Sequence, residues 1–227
     1  MSTFDSYSPE AVQFLHDLKT NNTKDWFAAN KVTYAQHIKE PTKIFADDMA
    51  SALGDLTGQP HSSKIFRVHR DVRFSKDKTP YNAHIHLAFR PDSALAQPPM
   101  WFFGFSPEAL SIGCGVFQYE KKSLATFRAA MSGLQGTELI ALTDRLRSSD
   151  IRIGTPDLKR VPTGFEKDHP NETALRRKGF TAWIDIAETA FVTEPKLVKR
   201  TAAMMQRLAP VFDLLSDVER QNDPYQT

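Results

Sequence analysis

Between Arg67 and Tyr81 the chain reads Arg67-Val-His-Arg70-Asp71-Val-Arg73-Phe74-Ser-Lys-Asp77-Lys78-Thr-Pro-Tyr81, with arginine, lysine, aspartate, histidine and tyrosine crowded into a strand-like run. Side chains alternate along a pleated strand, so Phe66, Val68, Val72 and Phe74 share one face and Arg67, His69, Asp71 and Arg73 the other. A second run divides in the same way, with Ile85, Leu87 and Phe89 opposite His84, His86 and Arg90. Arg70 breaks the pattern: on the apolar face an arginine needs a carboxylate or carbonyl partner, or a local bulge. Three chemistries compete for the polar face. Arg67 and Arg73 offer planar forks for phosphate or carboxylate, Lys78 a mobile charge, and Tyr81 or His84 an orienting donor. His69, Asp71, His84 and His86 could converge on one metal ion, although the surrounding arginines would repel a dication. Alternatively, Asp71 and Asp77 neutralise the arginines and the cluster only pins a hairpin.

Charge is distributed unevenly around this run. The formal net charge is +2, yet residues 64–90 carry seven lysines and arginines against two aspartates, and residues 152–180 carry seven against four acids. Two basic segments far apart in sequence suggest a basic cleft or face for phosphates, carboxylates or nucleic acid. The leading expectation is therefore a pocket built from the first hairpin and residues 158–178. In it Arg67, Arg73, Lys78, Tyr81, Lys159, Arg160 and Arg177 bind a phosphate- or carboxylate-bearing small molecule. If chemistry occurs, Asp71 or Asp77 is the base or arginine-orienting group, and His84 or His169 transfers a proton. The alternative is a non-catalytic module that binds nucleic acid or a protein partner through the same face. We expect no cofactor and no metal, and the sequence leaves open both catalysis and oligomeric state.

Other chemistries lack their motifs. No Gly-rich phosphate loop stands between a strand and a helix, and Gly113-Cys-Gly115 is too short for a dinucleotide fingerprint. The surroundings of Ser106, Ser111 and Ser123 show no nucleophile elbow, which argues against a serine hydrolase. Cys114, the single cysteine, sits in the strand-like Ser-Ile-Gly-Cys-Gly-Val-Phe and is read as a buried core residue in a reducing compartment. No apolar run reaches the length of a membrane span, and Met-Ser-Thr-Phe-Asp-Ser-Tyr-Ser has neither a basic leader nor an apolar signal core, so the expected address is cytoplasmic.

The elements that would position these groups begin with helices. Ser8-Pro9-Glu10 opens one, Thr23 caps a second running to Pro41, and a third continues from Pro41 to Gly58. The period then changes to two, and residues 64–74, 83–90, 100–105 and 109–119 read as strands whose short links favour an antiparallel meander. Helices follow over 121–131 and 137–147, then a basic loop over 154–179, a strand over 180–186, and one helix over 194–218 bent near Pro210. We expect one α+β domain over residues 1–227, its mainly antiparallel meander packed against N- and C-terminal helices.

The motif resembles a known signature. Arg67, Arg70, Asp71, Arg73, Phe74, Asp77, Lys78 and Tyr81 occupy the defining positions of the uncharacterised bacterial family called domain of unknown function 2461. The similarity extends to Asn22–Pro41 with its Asp25-Trp-Phe segment, to Gly113–Phe117, to Leu158–Phe165, to Asp168-His-Pro and to Arg177-Lys-Gly-Phe, and so spans nearly the whole chain. The resemblance implies membership but no activity, because the family has none established. His69 and His86 lie outside the signature, which weakens the metal reading.

Overall fold

A computed structural model describes residues 4–221, so Met1–Thr3, where the leader reading partly rests, lie outside the described residues. Helix α1 (Pro9–Thr20) starts as expected, with Ser8 extended and proline in the first turn, and buries Ala11, Phe14, Leu15 and Leu18. The Thr23 hydroxyl accepts from the Trp26 amide and caps α2 (Lys24–Ala29). A single turn, α3 (Lys31–Thr33), leads into a π-helical stretch at Tyr34–Lys39 and then α4 (Glu40–Thr57). Pro41 therefore does not break the helix. A proline ring crowds the carbonyl four residues back, and here the preceding turn is widened instead, so that the Glu40 amide bonds Ala35 five residues earlier. Gly58, at φ 74°, closes α4 in the left-handed conformation that favours glycine.

Strands β1 (His61–Ile65), β2 (Ile85–Pro91), β3 (Met100–Phe105) and β4 (Leu110–Val116) follow. Helices α5 (Lys121–Met131) and α6 (Leu134–Arg147), strand β5 (Arg152–Ile153), helix α7 (Glu172–Leu175) and strand β6 (Phe180–Ile186) come next. The last helices are α8 (Leu197–Gln206) and α9 (Ala209–Arg220). The six strands make an antiparallel sheet in the order β1-β2-β3-β4-β6-β5, which with the helices is an α+β fold. In the last pair Arg152 lies opposite Trp183 and Ile153 opposite Ala182.

Two further expected elements differ. The strand expected over 64–74 is β1 alone, because it starts at His61 and stops at Ile65; beyond it, residues 66–84 hold one isolated bridge, His69 to Tyr81. Side chains in that stretch bond the local backbone and displace the regular ladder. The single helix expected over 194–218 is α8 and α9, separated at Arg207–Leu208, because Pro210 has no amide to donate and sits in the first turn of α9.

By compactness the described chain falls into two units. The first takes in the chain up to Phe89, Phe102–Ile112 and Asp185–Met204; the second takes in Arg90–Trp101, Gly113–Ile184 and the chain from Met205. In the first, Phe45 packs on Phe103 with ring centres 4.6 Å apart, and Tyr7 on Phe105 at 5.7 Å. In the second, Trp101 stacks on Phe212 at 5.2 Å, and Trp183 lies flat over Gly113, where a Cβ would meet the ring at 2.5 Å. Cys114 is buried, and burial first, then Asp213, pushes its thiol well up.

Candidate functional site

The motif loop, residues 66–84, is held at four backbone positions, two of them tying it to the rest of the first unit and two closing the loop on itself. The Phe66 amide donates to His86, Arg70 to Pro80 and Asn82 to Val68. At the fourth, Asn22 acts as a surrogate strand: its amide nitrogen donates to the Tyr81 carbonyl (2.9 Å) and its oxygen accepts from the Tyr81 amide (3.0 Å). The Tyr81 ring is buried and stacked on Phe27 with centroids 4.1 Å apart.

Most of the motif's charges are spent within the loop. Asp77 accepts from the Thr79 amide (2.9 Å) and hydroxyl (3.0 Å) and pairs with Arg70 (2.6 Å). The Thr79 amide bond first, then Arg70, holds its carboxyl down at about 2. Arg70 also donates to the Thr79 carbonyl (3.0 Å) and hydroxyl. Its side chain is 23% exposed, so it is paired as its position on the apolar side demanded, although only partly buried. Arg73 forks onto Asp71 with contacts of 2.6 and 2.9 Å, and this hydrogen bonding is the main cause that lowers the Asp71 carboxyl. Lys78 donates to the Val72 carbonyl (2.9 Å) and caps the turn.

Arg67 is different. It is exposed and borders a concavity of about 330 Å³ together with Phe66, Asn82, His84 and His86, with His69, Arg70 and Asp71 completing the lining. Among the described residues its guanidinium makes no ion pair or side-chain hydrogen bond, although its charge adds a little to the lowering of the Asp71 carboxyl. His84 and His86 stack with ring centres 3.9 Å apart. Burial first, then the charge of His86 and of Arg70, pushes the His84 imidazole down to about 4, and burial lowers His86 as well. Both rings are therefore neutral at pH 7 and able to accept a proton or a hydrogen bond. His86 fits because β3 carries Gly104 beneath it, where a Cβ would sit 3.0 Å from the imidazole.

Of the residues singled out by sequence, Arg67, Asp71 and His84 thus come together at one concavity. Arg73, Lys78 and Tyr81 belong to the same loop but do not border it. The other four lie in the second unit. Lys159 and Arg160 are exposed; the His169 imidazole accepts from the Asn171 amide (3.0 Å) ahead of α7. Arg177 is 3% exposed, donates to the Gly154 carbonyl (2.7 Å), lies over the Phe180 ring at 5.0 Å, and is lowered to about 10, chiefly by burial. Sequence reasoning missed Phe66 and Asn82 as lining residues and Asn22 as the clamp. For Asn82 the signal was its place directly after Tyr81. For Asn22, 59 residues away from its partner, no local signal existed.

Among the described residues no group of three or more histidine, cysteine, aspartate or glutamate side chains is placed to hold a metal ion. No described helix is long and apolar enough to cross a membrane. Residues 10–214 match the model of a family described as "Conserved hypothetical protein (DUF2461)". No curated protein matches the chain.

Proposed function

The chain belongs to that family, and we propose that it binds a phosphate- or carboxylate-bearing small molecule at the concavity beside Arg67. One observation carries this reading: of the three motif arginines, Arg70 and Arg73 each hold a carboxylate in an ion pair, whereas Arg67, although its charge reaches Asp71, makes no ion pair among the described residues. A purely structural cluster accounts for the first two and not for the third. A free planar fork beside two neutral imidazoles and the Asn82 amide supplies charge and oriented hydrogen bonds to one oxyanion. If the bound molecule is also turned over, His84 is the proton acceptor, since Asp71 is engaged by Arg73 and held ionised. The proposal rests on the first unit alone. We assign the protein to the cytoplasm on its single cysteine, which suits a reducing compartment.

The nucleic-acid reading is favoured by a different observation. Phe74 is 96% exposed, with the Arg73 guanidinium 5.9 Å from its ring centre and Lys76 and Lys78 on the same loop, an arrangement suited to stacking a base beside a phosphate. A thermal-shift screen of inorganic phosphate, nucleotides, sugar phosphates and carboxylates, run beside Arg67→Ala and Phe74→Ala, separates the two. A ligand at about 100-fold excess over its Kd adds roughly 2.7 kcal/mol, a shift of a few degrees in a chain of this size. The small-molecule reading expects a shift with one anion class that Arg67→Ala abolishes and Phe74→Ala keeps. A flat response to every anion overturns it, and single-stranded oligonucleotide binding lost in Phe74→Ala supports the alternative.

A further inference from the structure

The polar concavity has an apolar neighbour. A second hollow of about 230 Å³ shares Phe66, Arg67, Asn82 and His84 with the first. Beyond those four its lining is mostly hydrocarbon and aromatic: Leu15, Tyr34, Ile38, Ile65, Val68 and Ile85. Leu15, Ile38 and Ile85 are buried, Tyr34 and Val68 are half-buried, and Ile65 and Phe66 are 41% and 49% exposed at the mouth. The lysines at its rim, Lys39 and Lys43, both lean on Glu40, at 3.7 and 3.0 Å, and so add little charge. Arg67 stands where the two hollows meet.

The backbone at this place is also unusual. Tyr34, Ile38 and Lys39 all come from the π-helical stretch Tyr34–Lys39, and a π turn inside an α-helix is rare and frequently found at functional sites. Here the wider turn presents Tyr34 and Ile38 to the hollow. Ligand sites are mainly apolar with a few convergent polar groups and run from about 300 to 1,000 Å³. Neither hollow alone has that character, and the two joined through Arg67 do.

We infer that the ligand is an amphipathic anion: a carboxylate or phosphate head held by Arg67, Asn82 and His84, with a short unbranched hydrocarbon tail lying between Ile38, Val68 and Ile85. This rests on the anion-binding role proposed for Arg67 and names the ligand class of that site. A polar metabolite would leave the apolar hollow wet, and a plain hydrocarbon would leave the guanidinium without a partner.

The test is a chain-length series of straight-chain carboxylates, acetate, butyrate, hexanoate, octanoate and decanoate. Binding is followed by chemical shifts of the folded protein at constant ionic strength, with inorganic phosphate and octanol as controls. Each added methylene that enters the hollow should tighten binding about fourfold, the equivalent of about 0.8 kcal/mol, until the hollow is full and the series levels off. Arg67→Gln, a change at an exposed position, should weaken all the acids by a common factor and leave octanol unaffected. Val68→Phe should flatten the series while sparing acetate. If that variant does not fold, the series on the wild type and Arg67→Gln decides alone. Acetate and phosphate that bind through Arg67 with no dependence on chain length would overturn the amphipathic ligand and leave the anion site standing. Affinity that grows with chain length but ignores Arg67→Gln would sink both, as would no binding by any member.

Discussion

Lowering the pH should weaken the fold through His84 before the carboxylates of the same loop contribute. The imidazole sits at about 4 in the folded protein against an ordinary 6.5, because burial, then His86 and Arg70, disfavour its charged form. Between those two values the unfolded chain holds more proton than the folded one, so stability falls as pH falls through that window and is fully present above it. For a fully buried ring this gap would be worth about 3 kcal/mol. His84 is only half-buried, and solvent screening reduces the figure to about 1–2 kcal/mol. Asp77, held at about 2, and Asp71, also lowered, contribute stability that is lost only below their ordinary 3.8, outside the window. His61 and His86 are lowered as well, and so the informative quantity is a difference between proteins. Urea unfolding at pH 7 and pH 4.5 should show the wild type losing about 1 kcal/mol more than His84→Gln. A proton NMR titration of the His84 ring should give a midpoint well under 6, moving upward when phosphate is added, because a bound anion favours the imidazolium. Equal pH dependence of the two proteins, or a His84 midpoint near 6.5, would refute the argument.

Three further outcomes follow from single contacts. Asn22→Ala removes both hydrogen bonds to the Tyr81 backbone and should cost about 1–3 kcal/mol in urea unfolding, with faster amide exchange at Tyr81; protection unchanged from wild type would show the clamp to be dispensable. Asp77→Ala strands Arg70 and frees the Thr79 amide, so it should lower the melting temperature more than Asp71→Ala while leaving anion affinity within about twofold, and the reverse ranking would make Asp77 a ligand-binding residue. Gly113→Val drives a side chain into the Trp183 ring and should cost about 1–3 kcal/mol as overpacking, with an altered Trp183 signal in near-ultraviolet circular dichroism; a silent substitution would mean that the ring does not lie there.

Elements whose pattern reflects burial were legible from the sequence. The helix at Lys121–Met131 and the strands at Met100–Phe105 and Phe180–Ile186 stand where periodicity puts them, because in each the apolar repeat faces a core. The stretch 64–74 misled because it has the repeat without the core: Phe66 and Phe74 are 49% and 96% exposed. Alternation there spaces the charges of a loop and does not bury a strand face. The placing of β6 between β4 and β5 was illegible for another reason. Alternation says which side of a strand is apolar but not which strand lies next to it once long connections intervene.

In the site, residue types were legible and partners only in part. Arg73 and Asp71, two residues apart, were expected on one face and do pair, although the backbone between them is not a strand. Asp77 reaches Arg70 across a turn that Pro80 and Thr79 announce. Once these pairs form, Arg67 stands out by subtraction: the sequence sets Arg70 apart on the apolar side, but nothing in it distinguishes Arg67 from Arg73. The apolar hollow was hidden more deeply, since it joins α1, the π turn and β2 across about seventy residues. Pro41, the residue expected to break the helix, is where the two levels meet. The same ring that cannot fit a regular turn is accommodated by the wider one, and the wider turn is what brings Tyr34 and Ile38 to the hollow beside Arg67. Replacing Pro41 with alanine should therefore let the turn tighten towards α-helix, and the loss should appear in the tail-dependent part of carboxylate binding, with acetate unchanged.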